Sequence, residues 1–300
     1  MRKIVLLIAL LCSLDLAAQS PSEFFTVSIN LNFPDHHDGS MSVADSEKLY
    51  NDNAVLKLPA SYSREGKPTR LVYMAHGAGG GVNAGDWFLN NYALQDSLLA
   101  NGYAVFDVNG GPLLENMGGS WAVQSAYKAY EYIQTHYNVY PQIIVGGFSM
   151  GGLSSTNFVY KHSSIVLAHV MYCPVLDLYE QAWKNPWMKS TRNAIARTHN
   201  FKDPSGNSWE AEKVIGWNPI AINTFESGSK TMKIYPVPVK IWHATNDKTV
   251  TVESSRRFRQ LIQNAGGLCD LREFDSADHG LSGGAPFMNH ELVLFIKRFN

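Results

Sequence analysis

Six short, mostly apolar runs dominate the chain between residues 70 and 276: RLVYMAHG (70–77), GYAVFDVNG (102–110), QIIVGGFS (142–149), IVLAHVMYCP (165–174), VPVKIWHATND (237–247) and DLREFDS (270–276). Gly, Pro, Asn or Asp bound them. Strands read this way when helices cover both of their faces, which is the condition of a parallel sheet. The runs predict strands, and segments of helical period lie between them. In SWAVQSAYKAYEYIQTHY (120–137), Ala122, Ala126, Ala129 and Ile133 recur at steps of four and three, one stripe of a helix. TVESSRRFRQLIQNAGG (251–267) closes on Gly266 and Gly267, a helix stop, and the tail carries Met288, Leu292, Phe295 and Phe299 at helical spacing.

Ahead of these units, FFTVSINLNF (24–33) alternates Val27, Ile29, Leu31 and Phe33 as a half-buried strand does. NAVLKLP reads as a second strand, ended at Pro59. Two antiparallel strands followed by repeated strand–helix units predict an α/β sandwich with a mostly parallel central sheet. One interval is too long for that scheme. Residues 177–236 separate two strands where a helix and a few connecting residues suffice, so a cap insertion is expected there.

The third run ends in GGFSMGG (146–152) and leads into LSSTNFVY. A parallel strand that enters a helix through Gly-x-Ser-x-Gly forms a nucleophile elbow: the serine sits in a strained turn with its hydroxyl clear of the sheet. Gly147 and Gly151 are needed because strand end and helix start pass too closely for Cβ atoms. A serine alone is a poor nucleophile and needs a base, which in turn needs an orienting group. Chain order in this arrangement puts acid and histidine after the serine, on loops beyond the last strands. His279, in SADHGLSGG, follows the final strand and is the expected base. Asp247, in HATNDKTV, is the expected acid, on the loop next to that of the histidine; Asp177, in CPVLDLY, is the alternative one strand earlier. His169 and His243 fall inside strands and read as packing residues, and the pair His36 and His37 reads as solvent-facing, not metal-binding.

HGAGGG (76–81) closes the first of the six runs, where backbone N–H groups can face an oxyanion above the serine. Ala78 and Gly79 are the candidate donors there, with the N–H of Met150 directly after the serine, and His76 is expected to brace the loop. A phosphate cradle is the rival reading of GAGGG, but no Lys-Ser/Thr follows it.

With HGAGG, GFSMGG, TNDKTV and DHG in this order, the sequence resembles a secreted α/β-hydrolase over nearly all of the mature chain. The resemblance implies Ser149 as nucleophile, Asp247 as acid and His279 as base. Within that superfamily the layout is similar to bacterial carboxylesterases, polysaccharide-ester esterases and prolyl-oligopeptidase-type catalytic domains. The insertion of about sixty residues departs from the simplest esterases.

MRKIVLLIALLCSLDLAAQS has two cations, an apolar run and small residues around Ala17 and Ala18, so residues 1–18 are expected to be a secretory signal peptide and 19–300 the hydrolase domain. Leu11 is bulky where a lipoprotein site wants a small residue, which argues against a lipid on Cys12. Cys173 and Cys269 then remain, at opposite ends of non-adjacent strands, and are expected to be unpaired. The formal net charge of −1 gives no reason to expect nucleic acid or membrane as partner. Nothing points to a metal, a nucleotide or another cofactor.

The insertion holds Trp183, Trp187, Trp209 and Trp217, which either stack on a sugar or flat acyl group or fill the core of the cap. Lys184, Lys189, Arg192 and Arg197 are set off by Glu180, Glu210 and Glu212 close by. The expected function is a secreted serine esterase acting through an acyl-enzyme on small or carbohydrate-linked esters, plant or dietary carbohydrate esters among them. The alternatives are a prolyl-oligopeptidase-like serine peptidase, which needs an acidic pair such as Glu180 and Glu210 to hold an amino terminus, and a non-catalytic binding module.

Overall fold

The structure is a computed structural model that describes residues 22–30, 49–82, 93–184, 187–203, 205–224, 235–280 and 285–300. The expected signal peptide, His36 and His37 lie outside the described residues. In chain order the strands are β1 (Ser22–Asn30), β2 (Leu49–Lys57), β3 (Arg70–Ala75), β4 (Tyr103–Val108), β5 (Ile143–Phe148), β6 (Val166–Tyr172), β7 (Val239–Ala244) and β8 (Cys269–Phe274). Helix α1 (Ala93–Ala100) precedes β4, α2 (Ser120–His136) precedes β5, and α3 (Gly151–Lys161) follows it. Between β6 and β7 lie α4 (Leu178–Lys184), α5 (Met188–Thr198), α6 (Ala211–Val214) and α7 (Pro219–Thr224); α8 (Val252–Asn264) and α9 (Ala285–Ile296) complete the set.

These strands form one sheet in the order β1-β2-β4-β3-β5-β6-β7-β8. β1 pairs antiparallel with β2 and β2 antiparallel with β4; every other pairing is parallel. The expected mostly parallel sheet is present, and the six runs are its parallel strands.

Burial explains why those runs lack polar faces. Along β3, Leu71, Tyr73 and Ala75 enter one apolar cluster while Val72 and Met74 enter another on the opposite face. β4 divides the same way, Ala104 and Phe106 against Tyr103 and Val105. α2, α3 and α8 cover the first face, and Ala122, Ala126, Ala129 and Ile133 of the α2 stripe are all buried. α1 and α9 cover the second, through Leu94 and Leu98 and through Leu292 and Ile296. No helical stripe marks α1 in the sequence. Its leucines recur over only two turns, too short a stripe to stand out.

A third cluster joins the insertion to the elbow. Leu178, Ala182, Ala194, Ile195 and Phe201 pack with Met150 and Leu153 from the start of α3. Cys173 and Cys269 are both buried and free, the first just after β6 and the second opening β8, with β7 between them.

Candidate active site

β4 lies on one side of β3 and β5 on the other, so the chain changes direction at β3. In open α/β sheets ligands bind beyond the strand C-termini at such a point. Ala75 pairs with Gly147, Phe148 with Tyr172 and Ala244 with Phe274, so the loops after β3, β5, β7 and β8 emerge on one edge.

Ser149 follows β5 directly and has φ 54°, in the left-handed region that costs a residue with a Cβ about 1–2 kcal/mol. The backbone around it holds that conformation. Ser149 N–H donates to Tyr172 O at 3.0 Å, and Ser149 O accepts from Gly152 N–H at 2.9 Å and Val175 N–H at 2.8 Å. The flanking glycines are required by space. A Cβ on Gly147 would lie 2.2 Å from Gly151 O, and one on Gly151 would lie 2.1 Å from Ala75 O at the end of β3.

His279, on the loop after β8, reaches Ser149 with Nε2 2.8 Å from Oγ. Its Nδ1 is 2.6 Å from Oδ2 of Asp247, on the loop after β7. A carboxylate only accepts, so Nδ1 carries the proton and Nε2 is free to take the hydroxyl proton of Ser149. The two loops are tied together: Thr245 N–H donates to Phe274 O at 2.8 Å and Asn246 N–H to Ser276 O at 2.9 Å. Asp247 Oδ1 accepts from the N–H groups of Thr249 and Val250 at 2.8 and 3.0 Å. Burial opposes charge on this carboxyl, but the adjacent His243 imidazole and the hydrogen bonds from His279 and the Val250 N–H outweigh it and hold the group well below the usual carboxylate range.

The remaining candidates sort by their contacts. Asp177 caps α4, accepting from the N–H groups of Tyr179 and Glu180, and its Oδ2 is 3.0 Å from Arg257 Nη1. None of its hydrogen bonds or ion pairs goes to His279. Asp275 accepts from the Asn246 side chain, and Asp278 accepts from Gly280 N–H. His76 Nδ1 is 2.7 Å from Asp107 in a fully buried pair beneath the Gly-rich loop. His169 lies in the core between Tyr235 and Ser155.

His243 bonds Ser255 and the carbonyl of Val250, and its Nε2 is 3.6 Å from Asp247. Cys173, His243 and Asp247 present ligand atoms within 4.8 Å of one another, the composition of a metal site. Their chemistry fits a different role. Burial pushes the Cys173 thiol far up, so it is held protonated, and both His243 nitrogens are taken. The group packs beneath Asp247 and fixes it.

Ser149 and His279 open onto a cavity of about 800 Å³. Gly77, Ala78 and Met150 line it beside the serine. Among the described residues no backbone carbonyl takes the N–H of Ala78 or Met150. Gly79, with φ 75°, shapes the turn and is not in the cavity wall. The insertion contributes Gln181, Trp187, Ser190, Asn193 and Arg197 to the wall, and Glu115 and Met117 also line it. Apart from the Trp187 ring and the Arg197 charge, no sequence pattern marks these wall residues. The length of the interval between β6 and β7 was the one signal for them, since it puts extra helices at the C-terminal edge of the sheet.

The tryptophans divide. Trp209 and Trp217 pack against the third apolar cluster, whereas Trp183 and Trp187 are 40% and 58% exposed.

No protein-family model matches the sequence, and no curated protein matches it. Solved structures do. An acylaminoacyl peptidase from Pyrococcus horikoshii superposes with a TM-score of 0.69 at 13% identity, over 94% of this chain and 42% of that one. This is the α/β-hydrolase fold. A puromycin-hydrolyzing peptidase from Mycobacterium tuberculosis gives 0.64 at 16% identity, over 93% of this chain and 39% of that one. The chain thus spans about two fifths of the length of these peptidases. An S-formylglutathione hydrolase from Agrobacterium tumefaciens gives 0.63 at 12% identity, over 95% of this chain and 99% of that one. Among the described residues no helix is long and apolar enough to cross a membrane.

Proposed function

We propose that this chain is a serine hydrolase that cleaves carboxylic esters through an acyl-enzyme, with Ser149 as nucleophile, His279 as general base and acid, and Asp247 as the orienting carboxylate. One observation carries the reading: a serine at φ 54° lies 2.8 Å from an imidazole whose other nitrogen is 2.6 Å from a buried carboxylate. Ser149 Oγ attacks the ester carbonyl as its proton passes to His279 Nε2. The tetrahedral oxyanion is stabilised by the N–H groups of Met150 and Ala78. Collapse expels the alcohol, which takes the proton from His279 and leaves Ser149 acylated. Water then attacks the acyl carbon, giving its proton to His279, and release of the acid returns that proton to Ser149.

Ester is favoured over amide by the fate of the two acids that a peptidase reading needs. Glu180 is buried and accepts from the Thr251 hydroxyl, and Glu210 pairs with Lys213 at 3.5 Å. Neither lines the cavity. The helices between β6 and β7 act as a cap that completes the pocket, and carbohydrate-linked esters are the substrate class that the exposed Trp187 suits. The leader-like N-terminal sequence makes the enzyme an exported one.

The test is fluorophosphonate labelling of the purified protein and its Ser149→Ala variant, followed by rates on matched 4-nitrophenyl esters and 4-nitroanilides. Labelling of the wild type alone, with esters turned over and anilides inert, is the expected result. Labelling that survives in Ser149→Ala removes the assignment, and faster anilide cleavage replaces esterase with peptidase.

A further inference from the structure

The charges of the insertion look balanced in the sequence, but they are not balanced in space. Lys184 is 3.9 Å from Glu180, and Lys213 is 3.5 Å from Glu210. Arg192 stacks on the ring of Trp183 with its guanidinium carbon 4.6 Å from the centroid, and donates to Ala182 O at 3.2 Å. Arg197 differs. It lines the cavity that holds Ser149, and among the described residues no carboxylate lies within ion-pair distance of it. Its Nε is buried and has no hydrogen-bond partner.

One helical turn earlier, Asn193 lines the same cavity, and its Oδ1 is likewise buried without a partner. Residues at i and i+4 share one face of a helix, so α5 sets both side chains in the same stretch of the cavity wall. Buried polar groups in native structures are nearly always bonded. Both side chains line the cavity that holds Ser149, so a ligand seated there meets them together, and Arg197 is the one Arg or Lys in its wall. A cavity of about 800 Å³ is the size that holds one small-molecule ligand, so a single substrate reaches both this wall and Ser149.

We propose that Arg197 and Asn193 form a specificity subsite for a substrate carrying a carboxylate: Arg197 takes the anion, and Asn193 accepts from a neighbouring hydroxyl or N–H of the same substrate. This rests on the reading of Ser149 as the nucleophile of an ester hydrolase, and it narrows the substrate class to acidic esters, of which hydroxylated sugar acids carry both groups. Guanidinium suits the role because its planar fork matches a carboxylate and always carries charge. Glu115 is the one acid in the cavity wall. Its backbone carbonyl accepts from the Thr198 hydroxyl at 3.3 Å, which ties the segment carrying it to the end of α5.

The experiment compares kcat/KM on matched pairs of probes. Mono-4-nitrophenyl glutarate against 4-nitrophenyl pentanoate puts the charge on the acyl side, and 4-carboxyphenyl acetate against phenyl acetate puts it on the leaving group. The ratio of anionic to neutral probe is measured in the wild type and in Arg197→Gln, Arg197→Lys and Lys189→Gln. Lys189 is exposed on the same helix and controls for net charge. On one of the two pairs, the ratio is expected to fall at least tenfold in Arg197→Gln, to recover in part in Arg197→Lys, and to hold in Lys189→Gln. Ratios that move less than twofold in Arg197→Gln, or that fall equally in Lys189→Gln, overturn the subsite while leaving the esterase intact. Absence of turnover on all four probes together with unlabelled Ser149 overturns the esterase reading, and the subsite with it.

Discussion

Nδ1 of His279 lies 2.6 Å from Oδ2 of Asp247, across the gap between the loops of two adjacent parallel strands. That contact depends on everything beneath it. Oδ1 of Asp247 is held by two backbone N–H groups, and Cys173 and His243 pack against the carboxylate from inside. The imidazole is therefore delivered to Ser149 in one tautomer and one orientation, by a carboxyl held well below the usual carboxylate range.

Asp247→Asn should lower kcat by about 10³–10⁴-fold with the fold intact, because an amide can donate to Nδ1 and so favours the wrong tautomer. Asp177→Asn should leave kcat near wild type. Asparagine still caps α4, and only the charge toward Arg257, itself 55% exposed, is lost, at a cost of about 0.5–1 kcal/mol. Steady-state kinetics and thermal melts on the two variants separate these effects. A large kcat loss confined to Asp177→Asn would reverse the assignment.

The strain at Ser149 gives a second expectation, read in stability. Alanine keeps the Cβ at φ 54°, whereas glycine adopts that conformation freely. Ser149→Gly should be more stable than Ser149→Ala by about 1 kcal/mol, seen as a higher urea midpoint at equal slope. Equal midpoints would mean that the elbow stores no strain at this residue.

The parallel sheet was legible because burial on both faces leaves apolar runs with sharp ends, as the division of Leu71, Val72, Tyr73 and Met74 between two clusters illustrates. Chain order then sufficed to name Ser149, Asp247 and His279, which the fold brings within hydrogen-bond distance of one another. Helix α1 was not legible, since Leu94 and Leu98 make too short a stripe. Nor was the wall of the cavity. Arg197 stands near glutamates in sequence, yet Glu180 turns to Thr251 and Glu210 to Lys213, and only packing decides such directions. For the tryptophans, composition allowed either ligand stacking or core; Trp209 and Trp217 pack on the third cluster, while Trp183 and Trp187 stay exposed.

Glycines of the two loops should respond for different reasons. A Cβ on Gly151 would press 2.1 Å from the carbonyl oxygen of Ala75, a backbone atom that cannot move without shifting β3. Gly79 has open space around its Cβ position and only a φ of 75° against it. Gly151→Ala should cost about 3 kcal/mol or more and Gly79→Ala about 1 kcal/mol. Urea unfolding of both variants checks the order, and a Gly151→Ala protein as stable as Gly79→Ala would contradict the close approach.

Acid stability should depend on His169. This imidazole is buried in β6, its nitrogens 2.9 Å from the hydroxyls of Tyr235 and Ser155, and burial pushes its pKa down to about 3. In the unfolded chain it takes a proton near pH 6.5, the ordinary value for imidazole (about 6.5). Between those two points the unfolded state binds one proton more than the native state, so stability is lost as pH falls below about 6.5 toward 3. The slope from this residue is about 1.4 kcal/mol per pH unit. Glutamine at this position cannot take up a proton and lacks that dependence. The stability advantage of wild type over His169→Gln should therefore be largest at pH 7–8 and shrink steadily from about pH 6 to pH 5, measured by urea unfolding at each pH. Other buried histidines titrate in both proteins and cancel in the difference. An advantage that stays constant from pH 8 to pH 5 would show that His169 is protonated as readily in the native state as in the unfolded one.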